Sequence, residues 1–335
     1  MRFNVSRQPI VPAFLTLVLL AILAMCNTTT GVVAPITPRS EGVEVGSMWY
    51  WLLGFQAAHP AWSHLIGGFL MIFSGMTLGR LSIVYRIYGT RTCIPIPLYG
   101  IAVLGVATSG FYLPALVAST LLTLSLKNFC YSQRNGYSFD RLFRGGMFLS
   151  LLILVAPVSF PLMVMFILSM ALFRNTTREM LVALTGFLLP VFGLCYLNWA
   201  LGGTFYAPLI EIYHEAIHAA SWLLMPLKFL DDGYRVLGIS LIVLVLLDLI
   251  ALLFFRRNSY ALPAPARRVL YMASHLFGLT VALYLFPVSD PAWLQALVAV
   301  PSALLLGALF IRLRHQVAQL LYPILLIAAI VSLYL

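Results

Sequence analysis

Val236-Leu-Gly-Ile-Ser-Leu-Ile-Val-Leu-Val-Leu-Leu-Asp248-Leu-Ile-Ala-Leu-Leu-Phe-Phe255 is a twenty-residue run with one charge, closed by Arg256-Arg257. About 20 consecutive apolar residues are what a helix needs to cross the ~30 Å hydrocarbon core of a bilayer. Comparable runs recur along the whole chain. Of its 335 residues 62% are hydrophobic and only 9% charged, where an ordinary soluble domain carries about 25% charged residues. An outer-membrane barrel would show alternating strands of about ten residues instead. The expected class is therefore all-α: a polytopic transmembrane helical bundle forming one integral membrane domain over 1–335.

Working outward, about eleven segments are expected: 9–26, 61–79, 94–109, 111–126, 144–157, 159–173, 180–200, 236–255, 269–286, 292–311 and 316–335. The pairs 94–126 and 144–173 are made of segments short of a full span. They read either as short kinked crossings or as re-entrant half-helices, which are tolerated only where protein or water covers them. Two outer loops are expected, 27–60 and 201–235, and the aromatic stretch 48–55 within the first suits the interface. Arg2 and Arg7 ahead of the first run resemble a signal peptide, but Ala24-Met25-Cys26 makes a poor cleavage site, so an uncleaved first helix is expected. Gly75 and Gly79 form a G-x-x-x-G suited to close helix contact.

With the N-terminus inside, seventeen of the twenty Lys and Arg fall in inner loops, and only Arg39, Lys228 and Arg235 fall outside. That bias predicts a bacterial inner-membrane protein with a cytoplasmic N-terminus and a periplasmic C-terminus. The formal charge of +10 comes from cations scattered in ones and twos. This fits topology and lipid headgroups rather than a nucleic acid. Cys26, Cys93, Cys130 and Cys195 lack C-x-x-C spacing, and no disulfide is expected.

The stretch Leu201–Arg235 is the longest polar interruption of the second half. Within it His214-Glu215-Ala216-Ile217-His218 reads as H-E-x-x-H. On a helix His214 and His218 share a face, and Glu215 stands beside them as a general base would in a zinc hydrolase. A third ligand is not evident. The same residues also make an amphipathic interfacial helix, with Leu209, Ile210, Ile212, Tyr213, Ile217 and Trp222 toward lipid. No cofactor is expected unless His214 and His218 hold zinc. Asp248 sits in mid-membrane, where an acid is costly and a functional candidate by default. His275, in the next segment in sequence, is its expected partner, either for proton coupling or as a polar packing contact. Asn198 is a further intramembrane polar residue.

The region from Leu65 to Gly203 resembles a family of polytopic Bacteroidota inner-membrane proteins. The residues that carry this are Tyr112-Leu-Pro-Ala-Leu116, Phe143-Arg-Gly-Gly-Met147, Phe173-Arg-Asn-Thr-Thr-Arg-Glu179 and Leu184-Thr-Gly-Phe-Leu-Leu-Pro190. More distantly, the layout is similar to polysaccharide polymerases and lipid-linked-sugar glycosyltransferases. The resemblance brings no catalytic residues with it.

The leading expectation is envelope biogenesis: handling of a polyprenyl-linked glycan between the two outer loops. Arg39, Lys228 and Arg235 would hold phosphate, and Glu211, Glu215 or His214 would act as base. The alternatives are a transporter or assembly scaffold using Asp248 and His275, and a zinc-dependent hydrolase using His214, Glu215 and His218. Membrane lipids and a lipid-linked glycan are the expected partners.

Overall fold

The computed structural model describes residues 8–26, 48–89, 92–131, 139–173, 176–217, 235–283 and 291–333. Among these residues every regular element is helical. The α-helices are α1 (Ile10–Cys26), α2 (Met48–Ala58), α3 (Pro60–Tyr85), α4 (Pro95–Val103), α5 (Tyr112–Tyr131), α6 (Phe139–Val155), α7 (Val164–Phe173), α8 (Thr177–Ala200), α9 (Ala207–Ile217), α10 (Arg235–Asn258), α11 (Ala264–Ala282), α12 (Pro291–Arg312) and α13 (His315–Val331). Five of them, α3, α5, α8, α10 and α12, are long and apolar enough to cross a membrane. Their outward faces carry large exposed apolar side chains, such as Leu181, Leu189 and Phe192 on α8 and Leu246 and Leu253 on α10, as a lipid-facing surface would.

Small residues set the tightest contacts. A Cβ on Gly75 or Gly79 would overlap Leu17 or Ile96, and one on Gly68 would overlap Met25. The G-x-x-x-G of α3 therefore lets α1 and α4 approach closely, as the spacing predicts. Gly146 of α6 meets the backbone at Ala183, and Gly186 of α8 meets the backbone at Phe143. Hydroxyl pairs reinforce the same region: Ser74 to Thr120 at 2.9 Å, Tyr99 with Ser119 at 2.8 Å, and Tyr85 to the Cys130 carbonyl at 2.5 Å.

These contacts also fix helix directions. Ser63, Ser74 and Tyr85 of α3 meet Tyr112, Thr120 and Cys130 of α5 in the same order, so the two helices are parallel. α4 runs opposite to both, with Ile96 beside Gly79 and Gly100 beside Met71. α12 is antiparallel to α4, since Gln295 reaches Ala102 while Gly307 meets Tyr88 and Pro95. α10 is parallel to α12, through Ser240 with Gln295 and Asp248 with Ser302. One end of the bundle thereby gathers Arg80 with Lys127, Arg86, Arg256, Arg257, Arg312 and Arg314. We call it the basic end.

The short segment 95–108 gains its reach from its geometry. Nine α-helical residues at ~1.5 Å, followed by the 3-10 turn Leu104–Thr108 at ~2.0 Å per residue, extend about 24 Å. That equals the rise of α3 between Gly79 and Ser63, about 24 Å, the levels at which the hairpin begins and ends. Gln56 of α2 pins the hairpin tip, donating to the Gly110 carbonyl at 2.7 Å and accepting from the Leu113 N–H at 3.2 Å. Several helices begin or end beyond the apolar run alone. Arg80 lies inside α3, and Arg267 and Arg268 lie in the first turns of α11, because long cationic side chains near helix ends reach back to the interface.

Candidate functional site

Three of the expected site residues, Arg39, His218 and Lys228, lie outside the described residues. Glu211, His214 and Glu215 fall on α9, which is helical as the amphipathic pattern requires, and Arg235 is the first residue of α10. α9 exposes Leu209, Ile210 and Tyr213, the apolar face expected of an interfacial helix. Among the described residues, no three His, Cys, Asp or Glu side chains come together as a metal site. His64 stacks on Tyr112 with ring centroids 4.5 Å apart. Asn198 is a turn-forming residue: its amide donates to the Thr204 carbonyl at 2.8 Å, and a Cβ on Gly203 would overlap it. Gly202, at φ +93°, makes the turn that leads into α9.

The expected Asp248–His275 pair is not formed. Asp248 is fully buried, and its Oδ2 meets the hydroxyl of Ser302 on α12. His275 is exposed, and its Nδ1 lies 2.7 Å from the Tyr271 carbonyl of its own helix. The pairing rested on α10 and α11 being neighbours in sequence. Asp248 instead faces the parallel helix α12, one element further along the chain. An acid at the bilayer centre costs about 2.5–3.5 kcal/mol on insertion scales, so its position demands a compensating role.

Among the described residues a cleft of about 310 Å³ lies between α4, α10, α12 and α13. That volume lies at the lower end of the ~300–1,000 Å³ common for small-molecule sites. Its floor is aliphatic and buried: Leu98, Ala102 and Leu306. Its lips, Ile239 and Val243 of α10 and Val331 of α13, are exposed, so it opens sideways between the apolar helices α10 and α13.

Polar groups gather only toward the end remote from the basic one. There Gln295 donates to the Ala102 carbonyl at 3.0 Å and accepts from Ser240 at 3.4 Å, and Ser332 lies on the facing wall. Gly105 makes room, because a Cβ there would press on the Gln295 amide at 3.0 Å. Arg235 is the first residue of α10, one turn before Ile239 in the chain. Sequence reading missed this cleft. Its one available signal was Gln295, an amide in the first turns of an otherwise apolar helix.

No family model matches the chain, and neither a curated protein nor a solved structure matches it at a significant level.

Proposed function

We propose that the chain is a bacterial inner-membrane protein of envelope biogenesis that holds the hydrocarbon chain of a polyprenyl-linked glycan in the lateral cleft. The observation that carries this reading is the cleft itself: aliphatic along its length, open at its side between exposed apolar residues, and polar at one end. A lipid chain entering from the bilayer meets no polar group until its head reaches Ser240, Gln295 and Ser332. Arg235, with Arg39 and Lys228 of the outer loops, supplies the cations that a phosphate-linked head requires. The gathering of inner-loop arginines at the opposite end supports a cytoplasmic basic end, a cytoplasmic N-terminus and a periplasmic C-terminus.

The test is crosslinking with a photoactivatable polyprenyl phosphate. Adducts are expected on α10 and α13 around Val243 and Leu325, lost when Val243→Trp fills the cleft and weakened by Arg235→Gln. Equal labelling at Leu246, on the lipid face outside the cleft, would reduce the site to ordinary lipid contact. A second reading, proton-coupled transport, is favoured by one observation: the buried Asp248 with its unpartnered Oδ1.

A further inference from the structure

Asp248 and Ser302 meet midway along the α10–α12 seam, between residues of both helices that line the cleft. Ser240 and Leu244, which line the cleft, stand eight and four residues before Asp248 on the same face of α10. On α12, the lining residues Gln295 and Leu306 flank Ser302 at seven and four residues, again on one face. Pro301 immediately precedes Ser302 and leaves the Leu297 carbonyl without its helical N–H partner. A weakened point in α12 therefore coincides with the buried acid.

We propose that Asp248 is a proton-binding site, neutral in the state seen here, whose proton is linked to occupancy of the cleft. The proton site stands on its own geometry, while the linkage rests on the chain-binding reading of the cleft. The Ser302 hydroxyl has one hydrogen and two acceptors in reach, the Val298 carbonyl at 2.7 Å and Asp248 Oδ2. Donation to the carbonyl four residues back is the usual state of a serine inside a helix. Both contacts are satisfied when the carboxyl supplies the second hydrogen: Asp248 donates to Ser302, and Ser302 donates to Val298.

The remaining oxygen, Oδ1, is buried and has no partner among the described residues. That is tolerable for the carbonyl oxygen of an acid and severe for a carboxylate. Among the described residues no cation pairs with Asp248; of the other helices packed on α12, α3 carries His64 and Arg80, α5 carries Lys127 and α4 carries no cation. α12 offers only Arg312, ten residues beyond Ser302, and the 3-10 turn 104–108 offers no titratable group. α10 itself offers Arg256 and Arg257, two turns on, and Arg235, more than three turns back. The 3-10 turn 259–261 contributes the exposed Tyr260. α11, packed on α12, brings Arg267 and Arg268 in its first turns and His275, which is exposed and bonded within its own helix.

Release of the proton would leave a carboxylate that needs donors, and the cleft, lined by the adjacent Leu247 and by Leu244 one turn back, is a space on the same helix able to admit water. A chain filling the cleft keeps the seam dry and so favours the protonated acid. By reciprocity, the protonated acid favours the bound chain. Chain binding should therefore weaken as pH rises through the titration of Asp248.

The experiment uses the full chain in lipid nanodiscs with two readouts. Infrared difference spectra at neutral pH should contain the carbonyl band of a neutral buried acid, absent in Asp248→Asn and displaced in Ser302→Ala. Affinity for a pyrene-labelled alkyl chain should fall about tenfold over the pH range in which the band disappears, and should be flat in Asp248→Asn. Absence of the band in the wild type, or a band unmoved by Ser302→Ala, overturns the proton site even if Asp248→Asn fails to fold. A band with pH-independent probe binding overturns the linkage and leaves the cleft reading intact. Probe binding that survives Val243→Trp overturns the cleft reading and the linkage with it, and the band alone then decides the proton site.

Discussion

α12 and α8 are both long, strongly apolar helices, yet 89% of the spanning window of α12 is buried inside the protein and only 22% of that of α8. α10, the most apolar of the five spanning candidates, is one-third buried, while α5, the least apolar, is 72% buried. The reason lies in the solvent. Lipid tails are as apolar as leucine, so greasiness gives a helix no reason to leave the surface. Close packing and interhelical hydrogen bonds do. α3 and α5 carry Gly67, Gly75, Ser74 and Thr120, whose small or hydroxylic side chains make the contacts of the interior. α8 and α10 present leucine and phenylalanine outward because lipid covers them at no cost. Apolarity marks what spans, and small or polar residues mark what is inside.

The sharpest way to break this contrast is at Gly146, where α6 and α8 touch through their backbones. Any side chain there collides with the Ala183 carbonyl, which cannot move without shifting α8. Gly146→Leu should cost more than the ~1–3 kcal/mol usual for overpacking and abolish folded protein, read as loss of the monodisperse peak in detergent. Next comes Leu122, fully buried on α5. Leu122→Ala should destabilise by about 2 kcal/mol or more, measured as a lowered unfolding temperature.

Gln56 makes a smaller test. Its two hydrogen bonds hold the tip of the α4–α5 hairpin, and Gln56→Ala leaves Gly110 and Leu113 to find other partners. The expected loss is about 1–3 kcal/mol, with faster proteolysis at the 109–111 turn. An unchanged protein would mean that the hairpin is held by its helices alone.

Much of the fold was legible in the sequence, because apolar runs and glycine spacing act locally. Gly75 and Gly79 marked a real contact before any partner was known. The site was less legible. Asp248 stood out as an intramembrane acid, but its partner is a serine on a helix that is not its neighbour in sequence, and serines inside helices are common. His275 was a better guess by chemistry and lost to topology. The cleft was harder still: Leu98, Leu306 and Leu325 read like any residue of a span, and only the approach of four helices makes them a wall. The outer-loop residues Arg39 and Lys228 lie outside the described residues.

The smallest expected effects come from the lipid-facing helices, and there the contrast turns on sign. Leu246 of α10 is exposed, so Leu246→Ala exchanges one lipid contact for another and should change stability by no more than about 0.5 kcal/mol. Gly193 of α8 has nothing within reach of a Cβ, unlike Gly146 or Gly186. It therefore bears only the conformational cost of glycine in a helix, and Gly193→Ala should stabilise by about 0.5–1 kcal/mol, read as a raised unfolding temperature. Both Gly186 and Gly193 lie on α8, two turns apart and so on nearly one face, but only Gly186 lies where α6 packs against that face. If Gly193→Ala destabilises by as much as Gly186→Ala, α8 is covered by protein at the level of Gly193 too, and a second copy of the chain becomes the first surface to look for. If only Gly186→Ala destabilises, lipid is the neighbour at that level.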